Sequence, residues 1–271
     1  MGRHIRIILC LLLLLSVTSL IAQKQQTGEI IYDYKLNLNG IELPRKAHLI
    51  FSDKEVLFYH SRGKGFVMID LYGNIGDHTL KVTTVNDNSG RQAIDGYYQD
   101  EEGNTCYFDY ENNRLIVRDL VFFEPYIYEE DIPKINWSIQ NEKKTINDLN
   151  CIKAEATFRG RKYTAWFTPD IPLPYGPWKL QGLPGLILEV EDEEKQVSFS
   201  VSKISIPIEE AELSKITPPQ DGKQISFEEA KTIWTDIQKK MISRMNSTQD
   251  RDSDPMQIAK LNLLEQFENE N

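Results

Sequence analysis

The residues best suited to chemistry are few and widely spaced. Beyond residue 22 the chain has three histidines, His48, His60 and His78, and two cysteines, Cys106 and Cys151. A metal site needs ligands at fixed spacings such as H-E-x-x-H, and the histidines stand in none. His48 and His60 flank an expected hairpin, which offers two ligands with no third in place for zinc. There is no G-x-S-x-G elbow, so no serine is marked as a nucleophile. Cys151 would be a nucleophile only with its thiol pKa lowered. Cys106 and Cys151 have two readings: a bridge, which forms outside the cytosol, or two separate buried thiols. The acidic runs Glu101-Glu102, Glu129-Glu130 and Glu191 to Glu194 read as solvated loop tips. No metal and no cofactor are expected, since no phosphate-cradling glycine loop is present either.

One group of aromatic and basic residues stands apart. Trp166, Tyr175 and Trp178 surround a Pro/Gly-dense stretch, with Arg161 and Lys179 close in sequence. These rings suit a surface that contacts a lipid, peptide or glycan. The alternative is that the stretch folds back over Trp166 and closes a sheet edge. Proline fixes φ and lacks a donor, so residues 169–185 are excluded from a central strand.

The elements that would position these residues are mostly strands. Tyr32, Tyr34, Leu36 and Leu38 alternate with polar residues, the period of a half-buried strand. Asn39-Gly40 marks a turn, and Ala47, Leu49 and Phe51 repeat the alternation. Further strands are expected at Val56 to Tyr59, Gly65 to Leu71, Leu80 to Val85, Thr105 to Tyr110 and Leu115 to Phe123, the last two joined by a turn at Glu111 to Arg114. Ile152 to Phe167 reads as a hairpin with a two-residue Gly160-Arg161 loop of type II′. That register pairs Phe158 with Tyr163, Ala156 with Ala165 and Ala154 with Phe167, and puts Trp166 on the polar face. A second hairpin joins Leu186 to Val190 with Val197 to Val201. The alternation then slips, which predicts a β-bulge near Lys203. Leu183-Pro184-Gly185-Leu186 suits a type II turn.

The C-terminal part is helical in pattern. Pro218-Pro219 and Asp221-Gly222 mark a linker. Ser226 and Glu229 form a capping box. Phe227, Ala230, Ile233, Trp234, Ile237, Met241 and Met245 make one stripe. A second helix is expected from Asp254-Pro255, presenting Ile258, Leu261, Leu264 and Phe267. The fold expected is therefore mainly β: a single antiparallel curved sheet or open half-barrel with C-terminal helices.

The start of the chain reads as an address. Arg3, His4 and Arg6 precede an apolar run from Ile7 to Leu15, then Ser16, Thr18 and Ser19 lead to Ala22, the order of a cleavable export signal. The run is too short for a bilayer span, and no transmembrane segment is expected after it. The expected organisation is a signal at 1–22, a β domain at 23–216, and a linker with a helical tail at 217–271. The acids outnumber the bases, 41 to 31, for a formal charge of −10. That balance argues against nucleic acid as a partner, because phosphates call for a Lys/Arg excess.

The run Cys151-Ile152-Lys153-Ala154, Phe158-Arg159-Gly160-Arg161, Tyr163 to Thr168, Ile171-Pro172 and Gly176-Pro177-Trp178-Lys179 ends in Gly182-Leu183-Pro184-Gly185-Leu186-Ile187-Leu188. It resembles the GLPGLI family, for which that last hexapeptide, Gly182 to Ile187, is the structural motif. The resemblance implies a secreted or periplasmic protein of Bacteroidetes-type bacteria, often encoded near outer-membrane transport genes. It implies no activity. Strand order and the late Pro-rich loop also resemble the curved sheets of LolA-like lipoprotein carriers. Three functions are compatible with these features. The first is an exported, non-enzymatic protein that binds an apolar or extended ligand or an envelope partner, linked to outer-membrane traffic. The second is an envelope hydrolase or thiol enzyme using Cys151. The third is an interaction module using the C-terminal helices.

Overall fold

The computed structural model describes residues 26–38, 41–60, 65–68, 81–86, 92–98, 100, 102–121 and 124–248. The expected signal at 1–22, Asn39-Gly40, His78, Glu101 and the expected helix from Asp254 lie outside these residues. The strands are β1 (Gly28–Leu38), β2 (Ile41–Phe51), β3 (Glu55–His60), β4 (Gly65–Met68), β5 (Lys81–Asn86), β6 (Gln92–Tyr98), β7 (Asn104–Asp109), β8 (Arg114–Val121), β9 (Glu124–Asp131), β10 (Ser138–Ile146), β11 (Leu149–Phe158), β12 (Arg161–Thr168), β13 (Leu186–Asp192), β14 (Val197–Ser205) and β15 (Lys223–Gln224). The helices are α1 (Glu210–Leu213) and α2 (Phe227–Thr248).

The chain is mainly β, as its alternation predicts. Twelve strands form one open sheet in the order β10-β11-β12-β13-β14-β1-β2-β3-β7-β8-β9-β15, and β4-β6-β5 form a separate three-stranded sheet. Pairing in the large sheet is antiparallel except where β15 joins β9 in parallel. Short loops explain the antiparallel order, since parallel neighbours need long crossovers.

Period-2 alternation gives the sheet two unlike faces. The inner face carries Tyr32, Tyr34, Leu49, Phe58, Val117, Tyr128, Ala154, Ala165, Val190 and Phe199, all in one buried core cluster. Its flatness is limited by contacts across it. β9 and β12 are eight strands apart in the order, about 38 Å if flat at roughly 4.8 Å per strand. Yet Glu130 of β9 forms an ion pair with Arg159, in the turn before β12. The sheet therefore curls, without closing, so that residues far apart in the strand order meet across its inner face.

The outer face differs along its width. On β1, β11, β13 and β14 it shows polar residues such as Asp33, Lys153, Glu189 and Ser200. On β2, β3, β7 and β9 it hides Ile50, Leu57, Tyr107 and Ile127. The chain after β14 accounts for the difference. α1 packs on β2, Lys215 lies near Tyr59 and Glu29, and the Asp221 carbonyl accepts a 2.6 Å hydrogen bond from Arg118 Nε. The chain after β14, which includes the expected linker at Pro218 to Gly222, is thus a strap that crosses the outer face and delivers β15 to the edge of β9.

Two local expectations are corrected. The β11–β12 hairpin pairs Phe158 with Arg161, Ala156 with Tyr163, Ala154 with Ala165 and Ile152 with Phe167. Its loop is Arg159-Gly160, with φ of 48° and 73°, which is a type I′ turn rather than type II′. The register moves by two residues, so every side chain keeps its expected face. Gly185 has no positive φ, so no type II turn forms at Pro184. Instead the Gly185 N–H donates to the Leu183 carbonyl at 2.8 Å, a γ-turn centred on Pro184. The β-bulge expected near Lys203 is present: Ile31 pairs with Lys203 and Tyr32 with Val201, which leaves Ser202 as the extra residue.

Candidate functional site

The Pro/Gly segment between β12 and β13 does fold back, but onto the inner face. Leu173, Tyr175, Trp178, Leu180 and Leu183 all join the core cluster. Its backbone is tied down by ladder-like bonds without being a strand. The Gly182 N–H donates to Pro174 O at 2.9 Å, Leu186 N–H to Ile171 O at 3.0 Å and Ile187 N–H to Tyr175 O at 3.0 Å. The Trp137 indole N–H adds a bond to Gln181 O at 2.9 Å. Tyr32 of β1, two strands from β13 in the sheet order, donates its hydroxyl to Ile187 O at 2.9 Å. Two glycines permit the close fit. A Cβ at Gly185 would meet Thr168 O at 2.2 Å, and one at Gly176 would meet Leu180 O at 2.3 Å.

The five residues singled out as a binding group are not brought to one surface. Tyr175 lies inside against Phe51 and Tyr110, with ring centroids at 5.3 and 5.7 Å. Trp178 is buried with its ring 5.6 Å from Phe158. Lys179 is 0% exposed, and its ammonium lies 2.5 Å from Glu130. Arg161 is buried beside Asp192, with Nη1 2.6 Å from the carboxylate and 2.9 Å from Gln196 Oε1. Trp166 alone sits on the outer face, half-buried, with Lys144 Nζ 4.5 Å over its ring. Lys144, held by Glu189, covers that ring; the Pro/Gly segment is on the other side of the sheet.

The acidic partners were misread as loop tips. Glu130 is buried on β9 and accepts from both Lys179 and Arg159. Asp192 closes β13, and its Oδ1 accepts the N–H groups of Gln196 and Val197, both at 2.7 Å. A buried charge requires a partner and full hydrogen bonding, which is why these carboxylates are where they are. A further buried pair, Arg118 with Asp100 at 2.9 Å, is absent from the sequence reading. The only hint was an arginine between alternating apolar residues of β8.

The groups considered for catalysis are separated. Ala47 pairs with His60 and His48 with Tyr59, so the two histidines face opposite sides of the sheet. His48 Nδ1 lies 3.0 Å from Glu29 on the outer face. His60 is buried near Tyr34 and Phe58. Burial, and then the Arg45 charge, lower its pKa to about 3, so it is a neutral ring at ordinary pH. Cys106 and Cys151 are not bridged; each is a buried thiol. Burial pushes the Cys151 thiol up, away from the thiolate a nucleophile needs. Among the described residues no group of three or more His, Cys, Asp or Glu side chains is arranged to hold a metal. None of their helices is long and apolar enough to cross a membrane.

A small polar cleft of about 150 Å³ lies at the end of the β11–β12 hairpin, lined by Thr157, Gly160, Arg161, Lys162, Asp192, Glu193 and Glu194. Its charged groups are already engaged with each other: Arg161 with Asp192 and Lys162 with Glu193.

Of the comparisons with known proteins, the family match falls on the motif stretch. A family described as a protein of unknown function (Porph_ging) matches residues 157–189, which span β12, the Pro/Gly segment and most of β13. No curated protein matches the chain. Among solved structures, PNGF-II resembles it with a TM-score of 0.48 and 14% identity over 77% of this chain. This chain spans only 33% of the PNGF-II chain. A LolA superfamily protein from Nitrosomonas europaea resembles it with a TM-score of 0.27 and 9% identity, covering 70% of this chain and 90% of that one. A DUF1329 family protein from Desulfovibrio piger gives a TM-score of 0.22 and 9% identity over 69% of this chain and 80% of the other. The chain is thus similar, over its motif segment, to a family whose function is unknown.

Proposed function

We propose that this chain is an exported, non-enzymatic envelope protein that acts by binding a partner at its surface, in support of outer-membrane traffic. One observation carries the choice of surface over interior. The inner face of the curled sheet is occupied by the chain's own segment, with Trp178, Lys179, Leu180 and Leu183 where an apolar ligand would lie in a carrier. Of the residues able to contact a ligand, Tyr175, Trp178 and Lys179 are buried as part of that segment, and Arg161 is engaged by Asp192 and Gln196. In this reading the motif from Gly182 to Ile187 is a frame element. The signal-like order of residues 1–22 supports export, and the acidic balance supports a partner other than nucleic acid. Residues 23–216 would form the body together with the start of the strap, and residues 217–271 the rest of the strap and the tail.

Expression with the native N-terminus in a Gram-negative host, followed by fractionation and native mass spectrometry, tests the reading. The expected product is a periplasmic or secreted chain beginning near Gln23 and carrying no lipid. A stoichiometric lipid or fatty acid retained on the protein would replace surface binding with interior ligand binding. Retention of the uncut chain in the cytoplasm would contradict export.

A further inference from the structure

The strap covers only part of the outer face. It packs on β2, passes Tyr59 and is held by Arg118. From β1 to β11 the outward side chains along the middle of the strands are half-buried or exposed. Register sets their order. Lys153, Trp166, Glu189, Ser200, Asp33 and Lys46 form one row, each opposite the next across neighbouring strands. Glu155, Thr164, Glu191, Ser198 and Lys35 form the row beside it. Side chains in such rows stand next to each other on one face.

Among the described residues Trp166 is the one tryptophan in a strand, and it stands within this polar lattice. Lys144 Nζ lies 4.5 Å over its ring, and Glu189 holds that lysine. The two side chains are 37% and 35% exposed, so water screens the pair and it contributes little. The cover over the ring is therefore exchanged at small cost.

The chemistry of the face selects its ligand. Its lysines are matched by acids: Lys46 lies 2.5 Å from Asp33, Lys153 lies 3.1 Å from Glu155, and Glu189 holds Lys144. The face is thus close to neutral in a chain of formal charge −10. An extended peptide joins a sheet at an open edge, but β11, β12, β13, β14 and β1 have strand neighbours on both sides. An acyl chain calls for an apolar cleft, and this face is convex and charged. A neutral sugar meets each condition. Its C–H face stacks on an indole ring. Its hydroxyls both donate and accept, so they bond ammonium, carboxylate and serine groups alike. From Trp166 to Lys46 the row crosses four strand spacings, about 19 Å, which suits a chain of sugars rather than one ring.

We propose that this face is a binding site for a neutral polysaccharide, with Trp166 as the stacking platform, Lys144 and Glu189 as its displaceable cover, and Ser200 and Asp33 as the polar groups next along the row. The proposal rests on the surface-binding reading above and names the face and the class of ligand.

The test is affinity gel electrophoresis of the chain from Gln23 to Asn271 in gels cast with laminarin, galactomannan or xyloglucan, with polygalacturonate as the anionic comparison. At least one neutral polysaccharide should retard the wild type, and polygalacturonate should not. Trp166→Ala should weaken that binding at least tenfold, and Trp166→Phe, which keeps a ring, should weaken it less. Lys144→Ala uncovers the indole and should bind about two- to fivefold more tightly. Ser200→Arg leaves the ring untouched but sets a long side chain across the row, and it should also weaken binding at least tenfold. It carries the test if Trp166→Ala does not fold. Retardation by none of the neutral polysaccharides, stronger retardation by polygalacturonate, weaker binding by Lys144→Ala, or wild-type binding by folded Trp166→Ala and Ser200→Arg overturns the proposal. Loss of fold in both of those variants, read by circular dichroism, overturns it as well, because the face would then be part of the framework. If crosslinking recovers the same envelope protein with wild type and Trp166→Ala while no polysaccharide retards the chain, the face is refuted and surface binding elsewhere stands.

Discussion

Lys179 and Glu130 meet inside the molecule at 2.5 Å although they are separated by 49 positions in the chain. One comes from the Pro/Gly segment and the other from the far side of the curled sheet. Arg159 joins the same carboxylate from the hairpin turn. Glu130 is therefore the group on which the motif segment, the hairpin and the β9 edge converge.

Removing this acid should cost much more than removing either base. Glu130→Gln leaves two buried cations without their counter-charge, and breaking such a network costs about 3–5 kcal/mol. Lys179→Met leaves Glu130 its bond to Arg159 and keeps the volume of the side chain, so its cost should be well below that. Urea midpoints of the two variants, compared at equal m-value, check the order.

The two conspicuous glycines of the motif should respond differently to alanine. Gly182 has φ of +93° with open space around it, so Gly182→Ala should cost about 1 kcal/mol or somewhat more through backbone strain alone. Gly185 has no positive φ, but its Cβ would strike Thr168 O at 2.2 Å. Gly185→Ala must push β12 and the segment apart and should be the more damaging change in thermal melts.

The tryptophans should separate in the same manner. Trp178→Ala empties a buried site and should cost about 3–5 kcal/mol. Trp166→Ala removes a half-buried ring from the outer face together with one cation–π contact, worth about 0.5–1 kcal/mol at exposed sites. The Trp166 variant should remain folded, with a markedly smaller fall in urea midpoint.

Acid should weaken the fold partly through His60. Its pKa is lowered from 6.5 to about 3 in the folded chain, first by burial and then by Arg45. Between those values the unfolded chain binds a proton that the folded chain does not. Stability therefore falls as pH drops from about 6.5 toward about 3, by an amount on the order of a few kcal/mol for one such buried histidine. Replacing it with an uncharged ring, His60→Phe, should flatten that limb. Glu229 acts at lower pH and in the same direction: the capping-box bonds from Ser226 hold its carboxyl below the usual range. What it adds is present above its unfolded pKa and lost as pH falls through the depressed one. Urea melts from pH 7 to 3, for wild type and His60→Phe, check the slope.

Much of the body was legible because alternation reports directly on a two-faced sheet. β1, β2, β3, β7, β8 and the two late hairpins announce themselves, and Trp166 was placed on its correct face even though the turn type was wrong. Arg159 takes a left-handed φ that its side chain would not suggest; its ion pair with Glu130 fixes it there. β6, β9, β10 and the two-residue β15 have no counterpart in the sequence reading. β10 is an edge strand with the charged run Asn141-Glu142-Lys143-Lys144, so it lacks the alternation of a half-buried strand, and its pairing with β11 breaks between Ile139 and Lys143. Part of the strap, Pro218 to Gly222, was read as a linker because its prolines and glycine punctuate the chain, and nothing local shows that the strap packs across Tyr59 and Arg118. Buried ion pairs were the least legible feature. Glu130 and Asp192 look like any other acid in an acidic chain until the curl of the sheet brings Lys179 and Arg161 to them.

Hydrogen exchange at the motif backbone tests the account most directly. If the segment is a fixed part of the interior, the N–H groups of Gly182, Leu186 and Ile187 should exchange as slowly as those in the middle of β12. Exchange at the rate of an exposed loop, with β12 still protected, would mean that the segment lies in water and that the inner face is open to a ligand.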